Sequence, residues 1–191
     1  MTLDPGRPAE ERKVPLALDK MLWHPTPLFS QVTLVTTLNE DGSSNVAPKS
    51  CVSLMIFRPL LLALGCNLGH WTAKNLRRGG ECVVNVPGAE LAAVAWESSE
   101  RPHPRTIESL GLTPEASREL RTPGIAECRA HFECVLEREI VYGEEVVLLL
   151  RVVAASLDQE VVEAPDPYAA LRLFAFLEEK LYGVVEKGER L

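Results

Sequence analysis

The stretch Val32-Thr-Leu-Val-Thr-Thr-Leu-Asn-Glu-Asp-Gly-Ser-Ser-Asn-Val-Ala-Pro-Lys-Ser-Cys51 decides how this chain folds. Valine and threonine dominate residues 31–38, turn-forming residues follow at 39–42, and an extended pattern resumes over 45–56, which predicts a β-hairpin. The second strand is unusual because Pro48 has no backbone donor and Lys49 is hard to bury. A strand tolerates such residues at an edge, a bulge or a barrel opening, where main-chain groups are free for a ligand. A proline and a lysine that only protect a sheet edge would look the same.

The rest of the chain continues the β pattern with short connections. Further strands are predicted at Leu60 to Cys66, Glu81 to Val86, Cys128 to Ile140 and Glu145 to Leu157. Helices are predicted at Thr72 to Arg78, with Thr72 as N-cap and Gly79-Gly80 as the stop, at Ala89 to Glu97, and from Asp166-Pro167 along the apolar stripe Leu171, Phe174, Leu177 and Leu181. About six strands with two or three peripheral helices favour a small antiparallel β-barrel over a parallel sheet.

Length and composition indicate one ordinary globular domain. The 191 residues are 46% hydrophobic and 25% charged, which is typical of a soluble protein with one substantial core. We expect an irregular N-terminal arm over residues 1–20, the main domain over 21–160 and a helical C-terminal extension over 161–191. The longest apolar run, Val52 to Cys66, is broken by Arg58-Pro59 and is too short to span a membrane. The first 20 residues lack the apolar core of a secretory signal, so a cytoplasmic location is expected.

Charge and cysteine content exclude several classes of function. The net charge of -7 disfavours nucleic-acid binding, which requires a basic surface. The five cysteines contain no C-x-x-C pair, so we expect reduced thiols that lie mostly in the core. The four histidines and five cysteines lack ligand spacing, and no metal site is predicted.

A second polar segment runs from Cys66 through His70 and Thr72 to Asn75. The start of a helix presents free N–H groups and partial positive charge, so this segment, with Lys74, Arg77 and Arg78 nearby, is suited to a phosphate. An ordinary solvated helix with a normal cap is the commoner outcome for such a motif. Cys66 and His70 also suggest a nucleophile pair, but a strand end and a glycine separate them, so their geometry is open.

Ordered blocks of residues resemble a known family. These are Thr-Thr-x-x-x-x-Gly-x-x-Asn-Val-Ala-Pro-x-Ser (Thr36 to Ser50), Arg-Pro-Leu-Leu-Leu-Ala-Leu (Arg58 to Leu64), His-x-Thr-x-x-Asn (His70 to Asn75), Glu-x-Val-Val-Asn-Val-Pro (Glu81 to Pro87), Gly-Leu-Thr-Pro (Gly111 to Pro114) and Ile-Ala-Glu-Cys (Ile125 to Cys128). Together they resemble the flavin reductase-like family of FMN-binding split barrels. The resemblance implies a mainly β fold with peripheral helices: a six-stranded antiparallel Greek-key split β-barrel, paired as a homodimer, with FMN in a groove near the subunit contact.

The resemblance also implies which residues bind the cofactor. The isoalloxazine ring would lie along one group, and the ribityl and phosphate end would lie in the other. The first group is Asn45, Ala47, Pro48, Lys49, Ser50 and Cys51, and the second is Cys66, Asn67, His70, Thr72 and Asn75. Cys51 stands where many relatives carry an aromatic residue, and Thr106-Ile107 stands where they carry Lys-Phe. His131 is either a surface histidine or a further flavin contact.

The function implied by the resemblance is an oxidoreductase that passes hydride from NADH or NADPH to FMN and on to an acceptor. The flavin performs the electron chemistry, so no catalytic residue is assigned to the protein. FMN is either a retained prosthetic group or a substrate handed to a partner monooxygenase. No G-x-G-x-x-G fingerprint occurs, so a nicotinamide would bind transiently over the flavin. The alternatives are a non-catalytic module that stores or senses flavin, and a barrel that binds another ligand such as haem.

Overall fold

The computed structural model describes residues 15, 16, 18, 27, 30–100 and 103–187. Its centre is one antiparallel sheet of seven strands in the order β2-β1-β5-β8-β9-β4-β3. These strands are β1 (Thr33–Leu38), β2 (Ser44–Lys49), β3 (Val52–Phe57), β4 (Leu60–Asn67), β5 (Glu81–Val86), β8 (Ala130–Tyr142) and β9 (Glu145–Leu157). The predicted mainly β split-barrel fold is confirmed, and the predicted irregular arm over residues 1–20 falls outside the described residues apart from positions 15, 16 and 18.

The sheet has seven strands where six were predicted, because the segment read as one strand from Asn45 to Ile56 forms two. β2 pairs with β1, whereas β3 pairs with β4 at the opposite end of the strand order. Only Ser50 and Cys51 separate β2 from β3, so the sheet must curl until its two edges meet. The result is a barrel that is split along this seam and joined across it by the chain itself.

Short helices and smaller strands surround the sheet. The helices are α1 (Trp71–Gly79), α2 (Ala92–Glu97), α3 (Gln159–Glu163) and α4 (Pro167–Leu171), with single 3₁₀ turns at Ala89–Leu91 and Glu108–Leu110. Two further antiparallel pairs are β6 (Pro114–Glu115) with β7 (Gly124–Ile125), and β10 (Phe174–Glu178) with β11 (Leu181–Val184). None of the helices in the described part of the chain has the length and apolar character needed to cross a bilayer.

Both faces of the sheet are packed. Consecutive residues of a strand point to opposite faces, and on β1 Leu34 joins one core cluster while Val35 joins the other. The cluster of Val35 contains α1 and much of β4 and β9, and the cluster of Leu34 lies under the 3₁₀ turns and β10. Four of the five free cysteines are buried, as predicted, and Cys51 is exposed. A thiol contact with Cys134, together with burial, raises the pKa of Cys82 and keeps it protonated.

The predicted C-terminal helix is wrong beyond its first turns. Asp166 does cap a helix that carries proline at its start, but α4 ends at Leu171 and Arg172 takes a left-handed conformation. The chain then forms the β10–β11 hairpin over the segment that was read as helical. Phe174 is buried and meets Phe176 and Tyr182 edge to face, contacts that a strand makes possible and that outweigh the helical spacing of the apolar residues.

Candidate functional site

Two adjoining grooves open where β2 ends and α1 begins. The first, of about 580 Å³, is lined by Asn45, Val46, Ala47, Pro48, Lys49, Gly69, His70, Trp71, Thr72, Ser98, Ser99 and His103. The second, of about 600 Å³, is lined by Pro48, Lys49, Ser50, Cys51, Gly65, Cys66, Asn67, His70, Ile140, Tyr142, Glu145, Val146 and Val147. Pro48, Lys49 and His70 belong to both linings. The fold therefore brings ten of the eleven predicted cofactor residues to one continuous surface, and only Asn75 is missing from it.

The seam between the grooves depends on a close approach of backbones. Cys51 O accepts a hydrogen bond from Gly65 N at 2.9 Å, and a Cβ on Gly65 would lie 3.2 Å from Cys51 Cβ. Any larger residue would therefore be crowded where β4 passes the junction of β2 and β3. Pro48 lies on β2, which is an edge strand of the sheet, one of the three positions that its missing N–H left open.

The start of α1 carries a polar atom without a partner. The prediction that Thr72 is the N-cap is wrong, because the cap position is His70 and no side chain caps the helix. The Thr72 side chain is fully buried, and its Oγ1 has no hydrogen-bond partner among the described residues. The hydrogen-bond ladder begins with Lys74 N donating to His70 O at 3.1 Å, so the N–H groups of the first turn have no acceptor inside the helix. An oxygen-rich anion at this end would satisfy both.

Lys49 is the cation that divides the two grooves. Its Nζ lies 3.4 Å from His70 Nδ1 and 3.5 Å from Cys66 Sγ. Burial, and then the Lys49 ammonium, lower the pKa of His70 below its ordinary value, so the ring stays neutral and Nδ1 accepts from the ammonium. Cys66 Sγ is also 3.5 Å from His70 Nδ1. The sequence left the Cys66–His70 geometry open, and the structure shows that the two side chains are in contact. The Lys49 ammonium contacts both of them.

Of the basic residues that the sequence placed around the phosphate, Arg77 and Arg78 are engaged elsewhere, whereas Lys74 stays beside the first groove through its contact with Trp71. Lys74 Nζ lies over the Trp71 ring, 5.2 Å from its centroid. Arg77 forms an ion pair with Glu139 at 2.9 Å, and Arg78 donates to Leu38 O. Both arginines lie in the last turn of α1, about 9 Å along the axis from its first residue. The prediction that this cluster surrounds the anion is therefore wrong for both arginines, and the cation in the groove linings is Lys49.

Asn75 lies under the first groove and does not line it. It is buried, and its Nδ2 donates to Thr37 Oγ1 at 3.1 Å and to Asn39 Oδ1 at 2.9 Å. These bonds tie α1 to β1. His131 is outside both linings as well: it is buried, and its Nε2 lies 2.9 Å from Ile125 O.

Sequence reasoning missed several lining residues. Ser98, Ser99 and His103 follow α2 and reach the first groove from across the barrel mouth. Glu145 enters the second groove from the β8–β9 turn and accepts from Asn67 Nδ2 at 3.1 Å. No local pattern marks these positions, because only the tertiary fold brings them to the seam.

The site is suited to an elongated anion with a planar end. The buried Thr72 hydroxyl, the free N–H groups of α1 and the Lys49 ammonium provide donors for a phosphate. Extended backbone of an edge strand runs beside them, and each of the two grooves has an ordinary volume for a ligand site. The residues therefore fit a flavin mononucleotide.

An antiparallel sheet that curls into a barrel, opens along one seam and carries a polar groove at that seam defines a split-barrel protein. The structure is similar to 2-nitrobenzoate 2-nitroreductase NbaA of Pseudomonas fluorescens, with a TM-score of 0.80 and 21% identity, covering 92% of this chain and 91% of that one. It is also similar to nitrilotriacetate monooxygenase component B of Bacillus cereus, with a TM-score of 0.79 and 24% identity, covering 100% of this chain and 98% of that one. These likenesses show the fold.

Residues 27–175 match the family model described as flavin reductase like domain. The uncharacterized protein YwrF of Bacillus subtilis is 33% identical over 149 residues, which cover 72% of this chain and 73% of YwrF. The chain belongs to the flavin reductase-like family, as its sequence blocks predicted, and so to the flavin-related oxidoreductases.

Proposed function

We propose that this protein binds FMN and passes hydride from NADH or NADPH to the flavin and then electrons to an acceptor. The observation that carries the proposal is the buried Thr72 Oγ1 at the start of α1, which has no hydrogen-bond partner among the residues that the structure describes. An unpaired buried hydroxyl is costly in a folded protein, and a ligand that accepts its hydrogen removes that cost. Family membership indicates a flavin as the ligand.

The phosphate of FMN would lie at the start of α1. Thr72 would donate its hydroxyl, the first-turn N–H groups would donate beside it, and Lys49 would supply the opposite charge. Asn45 and the segment from Ala47 to Cys51 would lie along the ring, with Cys66, Asn67 and His70 beside the ribityl chain. When bound, the flavin supplies the hydride and electron transfer. The protein binds and orients the cofactor, while the neutral His70 leaves the positive charge on Lys49.

Asn75 has an indirect role in this proposal. Its amide holds α1 against β1 through Thr37 and Asn39, and α1 carries Thr72. We expect Asn75→Ala to lower the free energy of unfolding because it leaves buried polar groups without partners. FMN affinity should fall less than in a Thr72 variant.

Homodimer formation is part of the proposal. The side chains of Leu54, Met55, Ile56 and Phe57 on β3 are exposed, with Phe57 at 76%. Ile140, Val141 and Tyr142 at the end of β8 are also exposed, and Ile140 and Tyr142 line the second groove. Exposed apolar side chains grouped on an edge strand are typical of a subunit contact, and pairing through β3 would place the flavin near the second subunit.

The spectrum of the purified protein is the direct test. We expect flavin absorption, retained or regained on adding FMN, and bleaching on anaerobic addition of NADH or NADPH. A yellow protein that either nicotinamide bleaches only very slowly would instead be a flavin-storing or flavin-sensing module. A haem spectrum would identify the third alternative, and a colourless protein that takes up no FMN would refute the proposal.

Steady-state kinetics then separate the two uses of FMN. A flavin that is handed to a partner monooxygenase gives saturation of the rate with added FMN, whereas a retained flavin gives a rate independent of added FMN. The fold likeness to a monooxygenase component motivates the first arrangement. Reduced FMN appearing free in solution under anaerobic turnover would support it.

A further inference from the structure

A third cleft, of about 500 Å³, lies away from both grooves, between α2 and the β10–β11 hairpin. Trp96, Phe176 and Tyr182 provide its aromatic surface, and Arg172 and Lys180 provide two cations. Ala89, Ala92 and Ala93 add only small side chains, so they leave the space open. The composition is that of a small-molecule site, with apolar walls and few charged groups.

The aromatic surface is held in place by the core. Trp96 and Phe176 meet edge to face with ring centroids 5.4 Å apart and an interplanar angle of 81°. Tyr182 meets the buried Phe174 at 5.9 Å and 73°, yet remains 44% exposed on the cleft side of the hairpin. Rings fixed in this way bind a flat ligand without first having to be ordered.

The cations of the cleft are weakly neutralised. Glu90 is the carboxylate in the lining, and Arg129 holds its Oε1 at 2.7 Å. Arg172 Nε lies farther from that carboxylate, 3.7 Å from Oε2. Lys180 forms no ion pair with any residue that the structure describes. In a chain of net charge -7, such an excess of positive charge beside aromatic rings marks a place for an anion.

Both cations stand at positions where glycine is the usual residue. Arg172 has φ 47° and Lys180 has φ 58°, and in the described part of the chain they are the only residues other than glycine with positive φ. A long side chain is strained in this region, whereas glycine is not, and asparagine is tolerated. Strained residues in a folded protein motivate a hypothesis of function, and here both of them line one cleft.

We propose that this cleft binds a small aromatic carboxylate, with its ring against Trp96, Phe176 and Tyr182 and its carboxylate between Arg172 and Lys180. Arginine forms paired hydrogen bonds with a carboxylate, and lysine adds a point charge. The proposal does not depend on FMN binding. It adds a second ligand site on the far side of α2, the helix that leads into Ser98 and Ser99 of the first groove.

Calorimetric titration of the full chain, in the presence of saturating FMN, with 2-naphthoate and with its neutral amide tests the charge requirement. We expect the acid to bind at least tenfold more tightly than the amide, a difference of about 1.4 kcal/mol. The variants Arg172→Asn and Lys180→Asn tolerate the left-handed backbone, and each should weaken binding of the acid at least about fivefold without changing that of the amide. Arg138→Asn, an exposed arginine on β8 outside the cleft, is the matched control and should bind like the wild type.

Lys180→Gly separates the ligand role from a structural one. Glycine relieves the left-handed strain, so this variant should keep or raise the thermal midpoint and still lose affinity for the acid. Equal affinity for acid and amide, or wild-type affinity in both asparagine variants, would overturn the proposal. Because the titration reads binding of the aromatic acid and not FMN uptake, its failure leaves the proposed flavin site unaffected.

Discussion

Replacing Thr72 with valine should stabilise the flavin-free protein and weaken FMN binding at the same time. Valine keeps the branched shape and removes the hydroxyl. Thr72 is fully buried and its Oγ1 has no partner among the described residues, and leaving such a group unpaired costs about 1–3 kcal/mol. Removing it should therefore raise the free energy of unfolding of the FMN-free protein by a similar amount.

The same hydroxyl should contribute to FMN affinity through a hydrogen bond to the phosphate. A hydrogen bond to a charged group contributes about 1.5–3 kcal/mol, so Thr72→Val should raise the Kd for FMN by about 10- to 150-fold. Quenching of FMN fluorescence on titration measures the Kd, and urea unfolding of the flavin-free protein measures the stability.

Thr36→Val is the matched control. Thr36 is equally buried, but its Oγ1 donates to Pro123 O at 2.7 Å. Its replacement leaves that carbonyl without this donor, and should lower the free energy of unfolding by about 1–3 kcal/mol while FMN affinity stays unchanged. The two threonines thus predict opposite signs. If Thr72→Val destabilised the protein as Thr36→Val does and left the Kd within about threefold, the phosphate site at α1 would be refuted.

Three further predictions concern the seam and the subunit contact. Lys49→Met should raise the pKa of His70 toward its ordinary value of about 6.5, as NMR titration of the imidazole would show. Because this pKa is lowered in the folded state, His70 lowers the free energy of unfolding as the pH falls below the ordinary value. His70→Asn should therefore make the free energy of unfolding less dependent on pH in that range. Gly65→Ala should destabilise the protein by about 1–3 kcal/mol, since its Cβ would meet Cys51 Cβ at 3.2 Å, and Cys51→Gly in the same chain should restore the loss in urea unfolding. Met55→Glu should yield a monomer in light scattering, and a persisting dimer would show that β3 is not the subunit contact.

The strands were predictable because their signals are local. Alternation of apolar and polar residues, followed by turn residues such as Asp41 and Gly42, marked the β1–β2 hairpin in the sequence. The count of strands was not predictable in the same way, since the segment from Asn45 to Ile56 is extended throughout. It is two strands only because its halves find different partners, β1 and β4, at opposite ends of the sheet order.

The C-terminal segment shows where local pattern misleads. Leu171, Phe174, Leu177 and Leu181 have helical spacing, and Asp166 supplies a correct helix start. The competing information is tertiary, because Phe174 O accepts from Val32 N at 2.9 Å and its ring lies in the core. Those interactions fix the segment as a strand, and no window of neighbouring residues contains them.

The candidate site likewise contains residues that local sequence identified and residues that only the tertiary fold brings in. Family blocks in the sequence identified ten residues that the fold brings to the grooves, among them Pro48, His70 and Thr72. They did not identify Glu145 or Ser98, which arrive from distant elements. The sequence also placed Arg77 and Arg78 at the phosphate, which is wrong because both lie in the last turn of α1. Proximity along the chain does not show at which end of a helix a side chain lies.

The groove is a consequence of the barrel's closure. Closure explains the free main-chain groups at the seam, but it does not explain the positive charge and hydroxyl that a phosphate would need. Lys49 still pairs with Thr33 and Cys51 already bonds to Gly65, so Ser50 alone crosses the seam. A chain that changes partners within one residue cannot keep a ladder bond on each side, so main-chain groups at this point face the groove whatever the side chains are. In the proposed flavin site, the positive charge and the phosphate contacts therefore come from side chains that closure does not need. Thr72 and Lys49 meet that description, and a protein with the same barrel but without them should keep the fold and lose the anion.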